Sequence, residues 1–383
     1  MGQVQISGTG ITKVGDHWSD SIINLAINAG REALRDSGKM PEMIVVGNML
    51  SSLTSRQENL GVMIADGLGL AGIPAFKVEA GSCSGAMACH LASQMVKNGS
   101  YASVLVIGVE KMMDLSPGEI IRAQSMAENS EFSQFFGITN SALAAMLTKL
   151  YVQEYEIKRR DMSSFPVIAH RNSINSKHAK FRREISLDDV EKSPNISDPL
   201  RLLDCAPSGD GAASVLLTGG NDPGSSTNAV EILGSASATA SPNFYERDNM
   251  MDFEATRVAA IKAISESGVS ITEIDLMEIH DVYSVIAALT LEALGISKKG
   301  DAARDASNGK FDLDSRPAIS TFGGLKARGN PLGATGIYQI VEVVRQLQGR
   351  AEENQISNAR IGLTHNATGM DSNAVIHVLG GRG

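Results

Sequence analysis

The sequence predicts an α/β fold made of two similar halves in tandem, and three observations lead there. Strand-like and helix-like patterns alternate along the chain. A helix stop at Ser37-Gly38 returns at Ser267-Gly268, an offset of 230 residues that also sets Ile44 on Ile274 and Val46 on Leu276. Each half closes on an apolar strand and a glycine pair: residues 213–218 before Gly219-Gly220, and 374–379 before Gly380-Gly381. Agreement at several elements favours a duplicated unit over two unrelated α/β domains.

Taken in order, residues 3–7 read as a short strand. Residues 19–36 place Ile22, Leu25, Ala26, Ala29 and Leu34 at helical spacing and stop at a glycine. Residues 43–46 form a compact apolar run, 59–68 a helix, 76–79 an extended segment and 84–97 another helix. Residues 103–107, SVLVI, read as a strand covered on both faces, being continuous and β-branched. In the second half 253–266 reads as a helix and 274–279 as a strand. Residues 318–320 lead into a Gly-rich turn, 334–348 into a helix, and 360–364 mirrors SVLVI.

Residues 112–201 differ in character and interrupt the first half before its last strand. The expected organisation is therefore a first half at 1–111 and 202–222, an inserted domain at 112–201, and a second half at 228–383. The stretch DPGSSTN at 222–228 has linker composition and marks the boundary. The insert carries a basic cluster: Lys158, Arg159, Arg160, His170, Arg171, Lys177, His178, Lys180, Arg182 and Arg183. Such a cluster is a candidate polyanion site or a solvated surface of local ion pairs.

Composition bounds the function. A chain of 383 residues, 43% hydrophobic, can bury two domain-sized cores. A net charge of −9 argues against a general nucleic-acid binder. Cys83, Cys89 and Cys205 are too few for a disulfide framework. No apolar run approaches the roughly 20 residues that span a bilayer, and the N-terminus lacks signal-peptide order. A cytoplasmic location is expected, without membrane or nucleic-acid partners. No Cys/His spacing suggests a metal, and no phosphate-binding Gly loop of the GxxxxGKS or GxGxxG type is present.

Seven segments, in order, carry a family resemblance: VEAGSCSGAMA at 78–88, VIGVEKM at 106–112, HRNSINSKHAKF at 170–181, LLDCAPSGDGAA at 202–213, EIHDVYS at 278–284, GGLKARGNPLGATG at 323–336 and THNATGMDSNAV at 364–375. Together they resemble the thiolase superfamily, especially archaeal acetoacetyl-CoA thiolases and sterol-carrier-type thiolase-like proteins. The resemblance implies a thiolase fold, with duplicated α/β halves in a five-layered α-β-α-β-α core under an inserted loop domain. It implies coenzyme A or acyl-CoA as substrate or ligand, with no covalent cofactor. It also implies a homodimer or dimer of dimers, and partners such as a zinc-ribbon acyl-CoA-binding protein or a hydroxymethylglutaryl-CoA synthase. The basic cluster then becomes a candidate for the coenzyme phosphates.

The same resemblance assigns roles by position. A thiolase passes an acyl group through a cysteine at a helix N-terminus, deprotonated by the His of a Gly-His-Pro motif. Here the nucleophile position falls on Ser82, with Cys83, one residue late and about 100° further round, as the back-up catalytic nucleophile. The base position falls on Asn330, which cannot take a proton. His280 stands in the oxyanion role. The C-terminal loop, usually Asn-x-Gly-Gly-x-Gly, keeps Asn366 and Gly369 as substrate or oxyanion residues but reads Thr368 and Asp371 at two glycine positions. His365 is the other histidine to test as a base. The reading is a thiolase-family acyl-CoA acyltransferase homologue with an altered active site. The alternative is a degenerate relative that binds acyl-CoA or serves as a partner subunit.

Overall fold

In a computed structural model of the chain, the described residues are 2–220, 229–243 and 246–381. The expected linker at 222–228 lies outside them. The strands are β1 Val4–Ile11, β2 Met43–Gly47, β3 Ala75–Val78, β4 Ser103–Glu110, β5 Asn195–Ser197, β6 Leu200–Arg201, β7 Gly211–Gly219, β8 Val230–Thr239, β9 Leu276–Glu278, β10 Ala318–Ile319, β11 Ile361–Thr368 and β12 Asn373–Gly381. Apart from the small β5–β6 hairpin, they form one hydrogen-bonded order, β10-β9-β11-β12-β8-β1-β7-β4-β2-β3.

That order reads the same from both ends once β1 is matched with β8, β2 with β9, β3 with β10, β4 with β11 and β7 with β12. Parallel pairing at β3–β2–β4 is repeated at β10–β9–β11, and antiparallel β4–β7–β1 at β11–β12–β8. The halves meet at an antiparallel β1–β8 junction, Gln5 opposite Glu231 and Ile6 opposite Val230. The duplication also shows in the caps. Gly38 ends helix Ile22–Ser37 at φ 67°, ψ 11°, and Gly268 ends helix Glu254–Ser267 at φ 68°, ψ 9°. Both lie in the left-handed region, where glycine has no Cβ penalty.

Layering follows from burial. Strand β4 is buried at all eight positions, so helices must cover both its faces. Helix Ile22–Ser37 packs outside on β1, β4 and β7, and helix Glu254–Ser267 outside on β8 and β12. Between the two halves lie helices Ser84–Lys97 and Thr335–Leu347. The first touches β2, β4 and β7 of its own half and β8 and β12 of the other. The second touches β9, β11 and β12 of its own half and β1, β4 and β7 of the other. Helix, sheet, paired inner helices, sheet and helix make the five-layered core of the thiolase fold.

Two expectations need correction. Strand β8 was not anticipated: its Gly234, Ser235 and Ser237 break the apolar pattern, yet it is central. Gly234 is required there, because a Cβ would lie 2.1 Å from the Ala263 carbonyl oxygen of the covering helix. Strand β11 runs to Thr368 rather than ending at 364, so the first half of the expected C-terminal loop is sheet. Among the described residues no helix is long and apolar enough to cross a membrane.

Candidate active site

The parallel strands β3, β9, β10 and β11 end on one side of the molecule, and the segments that follow them enclose a cavity of about 50 Å³. Ser82 lies after β3, His280 after β9, Asn330 after β10 and Gly369 after β11; all four line this cavity. The inserted segment contributes Gln124, Ala127 and Asn140, and the wall is completed by residues including Met49, Tyr283, Leu332 and Met370. Ligand sites commonly form beyond the carboxyl ends of parallel strands.

Cys83 does not reach the cavity. It caps helix Ser84–Lys97, is fully buried, and donates its thiol to the Asn366 carbonyl oxygen at 3.2 Å. Burial pushes the Cys83 thiol up to about 12, so it stays protonated. Its backbone N–H is also engaged: Thr368 Oγ1 accepts it at 3.0 Å and donates to the Ala80 carbonyl oxygen at 2.8 Å. Thr368 therefore binds to the nucleophile turn from a position where the family pattern has glycine. Ser82 has no hydrogen-bonded base among the described residues.

His280 is placed as a neutral donor. Asn366 donates one amide N–H to His280 Nδ1 at 3.1 Å and the other to Gln339 Oε1 at 3.2 Å. An imidazole nitrogen that accepts leaves the proton on the other, Nε2. Burial, with His365 and Arg328 adding to it, lowers the His280 pKa to about 3. Asn366 is thus a positioning residue behind His280 and does not itself line the cavity.

Asn330 is oriented with equal definition. Its Oδ1 accepts from the Leu332 N–H at 3.1 Å and from Thr335 Oγ1 at 2.8 Å, and its backbone N–H donates to the Pro207 carbonyl oxygen at 2.8 Å. With the oxygen occupied, the amide N–H groups remain for the cavity. The segment that carries it is held by a fully buried pair, Arg328 Nη1 to Glu342 Oε2 at 2.6 Å, and Glu342 also accepts from His178 Nε2 at 2.8 Å.

His365 is not a base. It is fully buried; Nδ1 accepts the His280 N–H at 3.3 Å, and Nε2 lies 2.9 Å from Thr256 Oγ1, which donates to Asp371 Oδ1 at 2.5 Å. Burial holds its pKa at about 3.

Most of the basic cluster is paired within the chain. Arg159 binds Asp204, Arg160 binds Asp188 and Glu191, Arg171 binds Asp312, Lys177 binds Glu352 and Lys180 binds Asp16. Arg183 acts on the Asp189 carboxylate through space without a direct ion pair. Among the described residues there is also no group of three or more His, Cys, Asp or Glu that could hold a metal. Tyr283, Asn140 and Gln124 were missed as cavity residues. Tyr283 lies in the EIHDVYS segment and could have been found from it; the other two sit in the insert, where no motif points to them.

Comparison with known proteins identifies the family. Residues 4–220 match the thiolase N-terminal domain and residues 236–381 the thiolase C-terminal domain-like model. An acetyl-CoA acetyltransferase of Methanothermobacter thermautotrophicus is 36% identical over 99% of both chains. Human sterol carrier protein 2 is 31% identical over 95% of this chain and 69% of its own length. Among solved structures, the Ltp2-ChsH2(DUF35) aldolase superposes with a TM-score of 0.85 at 20% identity, covering 99% of this chain and 98% of that one. The Acat5 thiolase of Ascaris suum in complex with coenzyme A gives 0.73 at 17% identity, covering 99% and 100%. The chain belongs to the thiolase family and is a homologue of its acetyl-CoA acetyltransferases.

Proposed function

We propose that this chain binds a coenzyme A thioester in the Ser82–His280–Asn330 cavity and stabilises negative charge on the thioester oxygen, without passing the acyl group through a cysteine. The observation that carries this reading is the division of roles at the turn: the Cys83 sulfur is committed to a backbone carbonyl, while two oriented donors, His280 Nε2–H and the Asn330 amide, border the same cavity. Fixed donors in a water-poor site stabilise an oxyanion without reorganising when it forms. A neutral imidazole with a pKa near 3 donates a hydrogen bond but takes up no proton at neutral pH. Such a site suits enolate chemistry, in which a carbon–carbon bond forms or breaks beside a thioester carbonyl. The acetyl-CoA acetyltransferase relatives and the coenzyme A complex of the Ascaris thiolase support the ligand class.

A second reading, a subunit of a larger assembly, is favoured by exposed apolar residues on the inserted segment beside the cavity: Met126, Phe132, Phe135 and Phe136 are 55%, 50%, 77% and 66% exposed. A homo-oligomer or a zinc-ribbon partner would cover such a surface.

Calorimetric titration with acetyl-CoA and intact-mass measurement after incubation test the first reading. Binding is expected, with no acetyl adduct. Asn330→Asp should weaken binding roughly tenfold or more, since a carboxylate would face the thioester oxygen. An adduct on Ser82 or Cys83, or no binding by the unaltered chain, would sink it.

A further inference from the structure

The cavity has donors for a thioester oxygen but, among the residues lining it, no group suited to move a proton at the neighbouring carbon. Ser82 lacks a hydrogen-bonded base, Asn330 has no basic nitrogen, and His280 is held neutral. Directly behind the lining lies Glu128, between two wall contributions: it follows Ala127 in the chain and packs on Gly369. A Cβ at Gly369 would lie 2.8 Å from Glu128 Oε1, so the glycine is what lets the carboxylate approach this wall. Glu128 is 7% exposed, and its Oε1 is buried with no hydrogen-bond partner among the described residues.

Glu278 Oε2 is likewise buried without a partner, but its Oε1 accepts from the Thr321 N–H and Oγ1 at 2.7 Å, and the other buried carboxylates nearby are held more fully. Glu110 accepts from Asn48 Nδ2 and from the Met49, Leu50 and Gly333 N–H groups. Asp210 accepts from the Met112 and Met113 N–H groups. Those two hold loops together; a carboxylate oxygen without donors is costly for structure alone. The charged and titratable groups that act on Glu128 or feel its charge are Arg247 and Tyr283, and Arg247 is in turn acted on by Asp371, Glu254 and Asp252. Burial raises the Glu128 carboxyl to about 7 against the partial opposition of Arg247, near the value at which a general base works best at neutral pH.

We propose that Glu128 is the proton-transfer residue of this cavity, acting on the carbon next to the thioester carbonyl. This rests on the acyl-CoA reading above and adds the missing base. The Glu128 carboxylate takes a proton from that carbon. The C–H electron pair becomes the carbon–carbon π bond as the carbonyl π pair moves to oxygen, giving an enolate whose oxygen accepts from His280 Nε2–H and the Asn330 amide. Return of the proton, or of one exchanged with solvent, restores the thioester, so charge and atoms balance with no further reactant.

The test is deuterium exchange into the acetyl group of acetyl-CoA in heavy water, followed by NMR, alongside calorimetric binding of the same ligand. The unaltered chain should exchange, at a rate that rises with pH and levels above about 7, because the base must be ionised. E128Q should bind acetyl-CoA with little change and exchange about a hundredfold or more slowly. Exchange undiminished in E128Q overturns the assignment, as does binding without exchange by the unaltered chain. If E128Q does not fold, the profile of the unaltered chain decides: a flat rate from pH 5.5 to 8.5 overturns it. Absence of binding overturns the acyl-CoA reading and this role with it, whereas binding with undiminished E128Q exchange overturns this role alone.

Discussion

Thr368 determines what the nucleophile turn can do. Its hydroxyl takes the Cys83 N–H and gives a hydrogen bond to Ala80, so the turn is fastened to strand β11. Gly81 accommodates it: at φ 60° a Cβ there would sit 2.3 Å from Thr368 Cγ2. Restoring the family's reactive pair is therefore insufficient. In the double variant Ser82→Cys with Asn330→His, the sulfur and imidazole return but the turn's N–H remains engaged by a side-chain oxygen. We expect no acetyl-enzyme from acetyl-CoA in that variant by intact-mass measurement. Adding Thr368→Gly frees the N–H and should allow an adduct to accumulate. Loss of one oxyanion donor is worth about 2.7–4 kcal/mol in an acyl-transfer site, a hundredfold or more in rate. An adduct in the double variant at the rate of the triple one would refute this assignment to Thr368.

At the scale of elements, the other changed glycine position has a structural task. Asp371 sits at φ 67° and accepts from the Ala255 N–H at 2.9 Å, the Thr256 N–H at 3.1 Å and Thr256 Oγ1 at 2.5 Å. It thereby caps helix Glu254–Ser267 from a distant loop, supplying an acceptor where Phe253 cannot. Asp371→Ala should cost about 2–4 kcal/mol, combining a lost cap with left-handed strain on alanine. Asp371→Gly should cost about 1 kcal/mol less, the strain being absent. Urea unfolding at pH 7.5, above the burial-raised carboxyl pKa of about 6, measures both; equal losses would remove the strain argument. This element also marks how far the sequence could be read. Helix Ser84–Lys97 and strand β4 were legible because their apolar patterns are local. Ser82, Asn330 and His280 were legible through motif spacing. Strand β8 was not, because Ser235 in it is stabilised by side chains remote in sequence, His90 Nδ1 at 2.8 Å and His377 Nδ1 at 2.9 Å. Nor was Glu128, whose importance lies in a missing partner and a glycine more than two hundred residues away. A cap from Asp371 or a contact from Thr368 reads, in sequence alone, as a damaged glycine loop.

The whole molecule is two copies of one topology that share their middle layer, and that sharing sets how it unfolds. Each inner helix packs on strands of both halves, so removing one half strips the other of cover on an inner face. Helix Thr335–Leu347 is buried at eleven of its residues, several of them Ile and Val side chains whose burial is worth roughly 1.5–3 kcal/mol each. Net stabilities of domains are only about 5–15 kcal/mol, so a half exposing that surface has no margin. The cavity divides in the same way: Ser82 comes from the first half, and His280, Asn330 and Gly369 from the second. We expect the full chain to unfold in one cooperative transition, with coincident fluorescence and circular dichroism midpoints. Fragments 1–220 and 229–383 expressed separately should lack a sigmoidal unfolding transition and bind no acetyl-CoA; mixing them during refolding should restore both. A separate fragment that melts cooperatively on its own would show that the inner helices serve one half each, against the packing described, and would make the β1–β8 junction a domain boundary instead of the centre of a single core.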